Sequence, residues 1–353
     1  MDFGLSEEQS LLQDALRGFL ADKLPMDRVR TVYEGGDGCL EGLAGELAAQ
    51  GLCGVLVPAD SGGSGLGLLD AAVAAEELGR AAAPCSFHSA YVMAPLALAT
   101  AASGQDQRLA AIASGGLLAS FVTGDFELAG GRVSGSTRFA PDPQSAGLFI
   151  VACKEGDATR LVAVESGNDV VSVEPLVTVD GTRRLGELTI SGATVDQGDL
   201  LGGDEALVER ILDAGRIALA ADVLGATERS LELAVEYSLT REQFGRPIGS
   251  FQSVKHMCAE TIAEIEPLRA LVWYAAYAWD ESLADAPWVA KTLKAHAGEV
   301  GTRATTTTVQ VYGGMGFTWE CDMHVWFKRA GYDRQVLGGP AELRAASIEL
   351  QGL

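Results

Sequence analysis

Arg241 stands at the end of a long helical pattern and opens the run Arg-Glu-Gln-Phe-Gly-Arg-Pro-Ile-Gly-Ser-Phe-Gln, residues 241–252. A guanidinium stays charged at every physiological pH and donates in a fixed bidentate fork, which suits phosphate oxygens. Gly245, Pro247 and Gly249 predict a turn behind it, and Gln252 adds an amide. A second cluster, Gln310-Val311-Tyr312-Gly313-Gly314, closes another helical run with two glycines that let a ligand approach the backbone. Each cluster also has a plainer reading: a solvated charge at a helix end for Arg241, a helix C-cap for Gln310 and its glycines. Phe244, Gly245 and Gln252 in register with Arg241 favour phosphate contact.

Metal chemistry has little support. The six cysteines (39, 53, 85, 153, 258, 321) form no C-x-x-C pair. Cys85 with His88, and Cys321 with His324, make two C-x-x-H pairs that would have to converge from distant parts of the chain to hold zinc. Reduced thiols without a ligand role, and hence a cytoplasmic setting, are the expectation. His256 and His324 are read as structural or interface residues, Trp273, Tyr274, Tyr277 and Trp279 as a core cluster, and Glu320 as a partner in an ion pair.

The bulk numbers narrow the function classes. A chain of 353 residues with 48% hydrophobic content has room for two or three domains and a sizeable core. The net charge of −22 argues against nucleic acid as a partner, since its phosphates demand neutralisation, and against attachment to a membrane by a basic face. The start, Met1-Asp2-Phe3-Gly4-Leu5-Ser6-Glu7-Glu8, has neither the basic nor the apolar region of a secretory signal. No uninterrupted apolar run is long enough to span a bilayer.

The elements that must position these residues follow from periodicity. Ser6 to Gln9 forms a capping-box pattern ahead of Leu11, Leu12, Ala15, Leu16 and Phe19 at helical spacing. Leu43 to Gln50 is a second amphipathic stretch. Residues 58–65 form a loop, and Leu69 to Leu78 a helix with Gly79 as its stop. Pro84 and Pro95 divide the next region into shorter helices. Between Leu117 and Leu200 the period changes: 132–136, 148–152, 160–164 and 185–190 are short and often alternating, separated by turn residues, which predicts a small antiparallel barrel or sandwich. Leu207 to Thr240 is one helical run interrupted by Gly215 and Gly225, and Pro267 and Pro287 punctuate the helices beyond. The fold class is α+β, with an N-terminal helical domain (1–116), a shortened middle β-domain (117–200) and a C-terminal helical domain (201–353).

This order resembles the acyl-CoA dehydrogenase family along the whole chain. The resemblance rests on G-L-x-G-V-L-V-P-A-D-x-G-G at 51–63, E-E-L-G-R-A-A-A-P at 76–84, G-F-T-W-E at 316–320, and the two clusters, which match R-x-x-F-G-x-x-I-x-x-F-Q and Q-x-x-G-G. It implies FAD as cofactor, with Arg241, Phe244, Gln252, Gln310, Gly313 and Gly314 reaching across a subunit interface to a neighbour's flavin. It also implies electron-transfer flavoprotein as the electron acceptor.

The same resemblance exposes gaps. The reaction needs a carboxylate to take the substrate α-proton while flavin accepts a hydride from the β-carbon. Gly338, in Val336-Leu337-Gly338-Gly339-Pro340, occupies one base position of the family, and Gly215 the other. The family's T-E-P-x-x-G-S-D-like loop is missing between Ala119 and Val133, and Arg138-Phe139-Ala140-Pro141 stands where a Trp segment would fall. No residue of this chain is assigned as catalytic. Arg216, beside Gly215, either lines a vestigial pocket or makes a salt bridge. Glu209 and Asp213 are a displaced base or, more simply, solvated helix charges. The implied role is the base-lacking subunit of an α2β2 acyl-CoA dehydrogenase of the actinobacterial steroid side-chain type, with a homologous base-bearing partner that binds most of the acyl-CoA. The alternatives are a self-sufficient homomer with a relocated base and a flavin-free scaffold.

Overall fold

The computed structural model describes residues 4–35, 40, 42–101 and 104–353. Cys39 and Met1-Asp2-Phe3, named above, lie outside the described residues. Six helices come first: α1 (Glu7–Lys23), α2 (Met26–Gly35), α3 (Leu43–Ala49), α4 (Leu68–Arg80), α5 (Ala94–Ala99) and α6 (Asp106–Ala113), with a π-helical turn at His88–Met93 running into α5. The capping box is present: Gln9 N donates to Ser6 Oγ at 3.1 Å, and Ser6 N to Gln9 Oε1 at 3.0 Å.

Eight strands follow: β1 (Ala119–Val122), β2 (Asp125–Ala129), β3 (Arg132–Pro141), β4 (Leu148–Glu155), β5 (Ala158–Glu165), β6 (Val171–Leu176), β7 (Leu185–Thr194) and β8 (Leu200–Gly202). They form one sheet in the order β6-β7-β3-β2-β4-β5-β8, with β1 also paired to β4. The wholly antiparallel expectation fails at one place, because β1 and β2 both run parallel to β4. Only Thr123 and Gly124 separate β1 from β2, so the chain keeps its direction there. A Cβ on Gly124 would lie 2.6 Å from Ser136 O and 2.7 Å from Thr137 Cβ, so the kink needs glycine. Alternation along the strands splits the apolar residues between two cores. Phe149, Val151, Val162 and Val164 pack inside the sheet, while Leu148, Ile150, Leu161 and Ala163 join the helical core.

The remainder is helical: α7 (Glu205–Thr240), a hairpin of β9 (Glu242–Gln243) and β10 (Arg246–Pro247), α8 (Gln252–Asp280), α9 (Ala286–Tyr312), α10 (Met323–Asp333) and α11 (Pro340–Leu350). Three expectations about punctuation are corrected here. Gly79 lies inside α4, Gly215 and Gly225 leave α7 unbroken, and α8 runs through Pro267. These glycines mark close approach. A Cβ on Gly79 would sit 2.0 Å from Asp222 O, and one on Gly225 would sit 1.7 Å from Glu76 O. α4 and α7 therefore cross backbone to backbone.

A buried ionic knot ties the helices to the sheet. Arg329 on α10 donates to both Asp222 carboxylate oxygens, each at 2.7 Å, to Thr182 Oγ1 at 2.8 Å and to Ala83 O at 3.1 Å. Arg183 donates to Asp222 Oδ2 at 2.7 Å and to Cys85 O. Burial alone would raise Asp222, but Arg329 and Arg183 hold it well below the usual carboxylate range. No helix among the described residues is long and apolar enough to cross a membrane.

Candidate functional site

The two phosphate-type clusters come together at the far end of α7. Arg241 caps that helix, and its N–H donates to Tyr237 O at 2.8 Å. Tyr237 stacks on Tyr312 with ring centroids 4.1 Å apart and an interplanar angle of 10°. Tyr312 Oη in turn donates to Leu233 O at 3.2 Å. The end of α9, with Gln310 and Gly313, is thereby fixed against the end of α7.

Between β9 and β10 the chain turns through Phe244 (φ +54°) and Gly245 (φ +76°). Two left-handed residues make the hairpin turn that matches strand twist, and a phenylalanine there is an outlier. Phe244 is 92% exposed and meets the Phe251 ring edge-on at 6.1 Å. Arg241, Gln252, Gln310 and Gly314 are exposed too, and the Arg241 guanidinium has no protein partner among the described residues. Gly313 sits at φ +62° with nothing within 4 Å of a Cβ position. Arg241 has no protein partner among the described residues, and Gln252, Gln310 and the open glycine pair offer amides and accessible backbone at the same end of α7, which is donor chemistry suited to an anionic group. These residues fit a pyrophosphate.

The positions proposed for a base lie together elsewhere. Gly338 lines a cavity of about 880 Å³ with Arg216, Phe121, Phe139, Leu212 and Leu337. Gly215 faces the same loop: a Cβ there would lie 2.5 Å from Met93 Sδ and 2.8 Å from Leu337 Cδ1. Leu337 (φ +58°) and Gly338 (φ +108°) are both left-handed, and Arg216 Nε holds the turn by donating to Leu337 O at 3.0 Å.

Arg216 both lines the pocket and makes salt bridges. Its Nη1 donates to Asp213 Oδ1 at 2.6 Å and to Glu209 Oε2 at 3.1 Å. Lys291 Nζ reaches the two Asp213 oxygens at 3.0 and 3.2 Å and Glu209 Oε2 at 3.1 Å. Asp213 is buried, so the expectation of solvated charges is overturned, and both carboxylates are spent on two cations. Burial pushes the Asp213 carboxyl up against the pull of Arg216 and Lys291. At the more exposed Glu209 burial again opposes ionisation, but Arg216 and Lys291 win and hold it low.

Sequence reasoning missed Glu342, the one carboxylate lining this cavity among the described residues. Two residues after Pro340, it reads as an ordinary first-turn acid that complements a helix dipole. Another expectation is corrected by position: Glu320 is exposed and the ion pair falls to Asp322, which Arg30 Nε reaches at 2.6 Å. Trp273, Tyr274, Tyr277 and Trp279 are half-buried, and Trp273, Tyr274 and Trp279 pack against the helical core; Tyr274 donates to Asp285 at 2.5 Å and Trp279 to Arg210 O at 2.9 Å. His324 packs edge-on to Trp319 at 4.7 Å, and His256 is exposed on α8. The two C-x-x-H pairs do not converge into a metal-holding group among the described residues.

An α+β protein with helical segments on both sides of a β-segment and a glycine-lined cavity beside α7 defines the class. The pattern of the acyl-CoA dehydrogenase N-terminal domain matches residues 6–116, and that of the C-terminal domain matches residues 203–351. The acyl-CoA dehydrogenase IpdE2 of Mycobacterium tuberculosis is 33% identical over 338 residues, covering 96% of this chain and 95% of that protein. Among solved structures, the ChsE4-ChsE5 complex from Mycobacterium tuberculosis matches with a TM-score of 0.93 and 27% identity over all of both chains. A Tcur3481-Tcur3483 steroid ACAD variant matches with a TM-score of 0.88 and 29% identity, covering 98% of each chain. The chain belongs to the acyl-CoA dehydrogenase family, a family of FAD-dependent oxidoreductases acting on CH–CH bonds.

Proposed function

We propose that this chain is the base-lacking subunit of a heteromeric, cytoplasmic acyl-CoA dehydrogenase, completing the FAD site of a homologous base-bearing partner in an α2β2 assembly. Its three segments, 1–116, 117–200 and 201–353, act as the domains of that subunit. The observation that carries this reading is the separation of the two sites along α7. Gly215 and Arg241 lie about 39 Å apart at the rise of an α-helix, and no single dinucleotide cofactor spans that distance. A flavin held by the Arg241 cluster therefore has its ring in another chain.

Arg241 would pair with the pyrophosphate, Gln252 and Gln310 would supply amides, Phe244 would cover an apolar part, and Gly313 and Gly314 would admit the close approach. Bound FAD supplies the hydride acceptor. At the other end of α7, Met93, Leu337 and Leu343 crowd the places where a base would stand. The two-residue link between β1 and β2 leaves no room for the T-E-P loop. Acyl-CoA thioesters are the substrate class, electron-transfer flavoprotein the acceptor, and the likeness to a steroid ACAD supports a bulky steroid side-chain ester.

The test is expression alone and with a base-bearing homologue encoded beside it. The isolated chain is expected to bind little FAD and to lack turnover, while the complex is yellow and active. Stoichiometric flavin and turnover in the isolated chain would overturn the reading. One observation favours a second reading, a homomer with a relocated base: Glu342 lines the same cavity as Gly338. That reading requires activity of the isolated chain that disappears in Glu342→Gln.

A further inference from the structure

Glu76 and Glu77 open the E-E-L-G-R run at 76–80, and the structure buries both on α4, each 1% exposed. Charges reach them from three other helices. Arg17 on α1 forks onto Glu77, with Nε donating to Oε2 at 3.0 Å and Nη2 to Oε1 at 2.6 Å. Arg269 on α8 is divided: Nη1 donates to Glu76 Oε1 at 2.8 Å, Nη2 donates to Glu228 on α7, and Nε lies 3.7 Å from Glu266 Oε2. Gln13 on α1 adds a neutral donor to Glu76 Oε1 at 3.1 Å. Glu76 Oε2 is buried and has no hydrogen-bond partner among the described residues.

The balance of charge decides the state of Glu76. Glu76, Glu77 and Glu228 face Arg17 and Arg269, three acids against two cations, and Glu266 draws on Arg269 from the surface. A buried carboxylate with one oxygen bare and no cation of its own is costly, whereas a proton on that oxygen balances the cluster. Burial raises the Glu76 carboxyl to about 8 against the pull of Arg269, and the charges of Glu228 and Glu77 add to the rise.

The attachment of α1 depends on these groups. Leu16 and Leu20 are its fully buried residues. Gln9, Gln13 and Arg17, at i, i+4 and i+8 on one face, bond to Asp70 (3.1 Å), Glu76 and Glu77 on α4. A helix with so little buried apolar surface belongs to the part of a fold that opens first.

We propose that Glu76 is a proton-operated latch: it carries a proton while α1 is docked, and its ionisation loosens α1 from α4, α7 and α8. The sign follows from burial. An unfolded glutamate ionises near its ordinary value of 4.5, so the docked state is most stable below that value. Stability drains away as the pH rises from there, and the loss is complete once Glu76 ionises in the folded chain. The latch goes beyond the function proposed above and does not rest on it, since no residue of the flavin cradle or of the cavity takes part.

Hydrogen–deuterium exchange of the full chain, corrected for the intrinsic effect of pH on exchange, is the test. Protection of α1 relative to α9 is expected to fall about tenfold or more between about pH 6 and about pH 9. Glu76→Gln, a neutral isostere of the protonated acid, is expected to keep α1 protected at both. Glu228→Gln leaves Arg269 to Glu76 and balances the ionised cluster, so it too should hold α1 closed at high pH; it carries the test if Glu76→Gln fails to fold. Infrared difference spectra with isotope-labelled glutamate are expected to show a protonated carboxyl that disappears as the pH rises through about 8, and at lower pH in Glu228→Gln. A merely structural Glu76 moves none of these readouts. The proposal is overturned by α1 protection that does not change with pH, by equal opening in Glu76→Gln, or by a glutamate spectrum without a protonated carboxyl at neutral pH.

Discussion

Restoring a carboxylate to either vacated base position meets a different obstacle at each. At Gly215 the first added carbon lies 2.5 Å from Met93 Sδ, so a longer side chain overpacks the crossing of α7 with the π-helical turn. At Gly338 the backbone is left-handed (φ +108°), and the added carbon lies 2.8 Å from Leu343 Cδ2. Gly215→Glu and Gly338→Glu should each cost about 1–3 kcal/mol of stability, read as a lower denaturant midpoint, and neither should restore flavin reduction when the partner's base has been removed. A base works only when flavin and the substrate carbons are already aligned, and a displacement of about 1 Å costs about a hundredfold. Rapid acyl-CoA-dependent reduction in either variant would mean the alignment survives in this chain. Arg241→Ala is the opposite case. The side chain is exposed and unpaired, so stability should not move, while the complex should lose about ten- to a hundredfold in FAD affinity, the worth of a charge-assisted contact of about 1.5–3 kcal/mol. An unchanged flavin dissociation constant would reduce Arg241 to a surface charge.

At the scale of elements, the crossing of α4 and α7 sets the fold's tightest tolerance. Gly225→Ala would put a methyl carbon 1.7 Å from Glu76 O, a backbone atom that moves only with its helix. The two helices must part, so the loss should be on the order of 3 kcal/mol, the severe end for overpacking. It is measured by chemical denaturation beside Gly45→Ala, where nothing lies within 4 Å; equal effects would deny the crossing any special role. This contact also shows what the sequence made legible. The capping box at Ser6, the change of period after Leu117 and the single run of α7 are local patterns, and local patterns survive folding. Gly79, Gly215 and Gly225 looked like stops and interruptions because a glycine's local cost in a helix is visible, whereas the backbone that crosses it comes from another part of the chain. The resemblance assigns Gly338 and Gly215 to two base positions far apart in the sequence, yet only the fold brings Leu337 against Gly215. Glu209 and Asp213 read as solvated for a similar reason, since Lys291 arrives from α9.

Across the whole molecule the Arg329–Asp222–Arg183 knot joins N-terminal, middle and C-terminal segments, and α10 carries Phe327, Lys328 and Gly331 to the cavity. Nothing in the sequence marks these residues, because each partner lies on a different element. A buried charge pair is not in itself strongly stabilising, but removing one member leaves the other desolvated. Arg329→Met takes away both bonds to Asp222 and leaves that buried carboxylate with Arg183 as its one remaining cationic hydrogen-bond partner among the described residues. The expected loss is on the order of 3 kcal/mol, and Thr182 Oγ1 and Ala83 O lose a donor with it. Arg344 is the matched control: it also forks onto a carboxylate, Glu299, with Nη1 at 2.6 Å, but on the surface. Arg344→Met should change stability by less than about 1 kcal/mol. If denaturation midpoints show the two substitutions to be equivalent, the knot contributes no more than a surface pair.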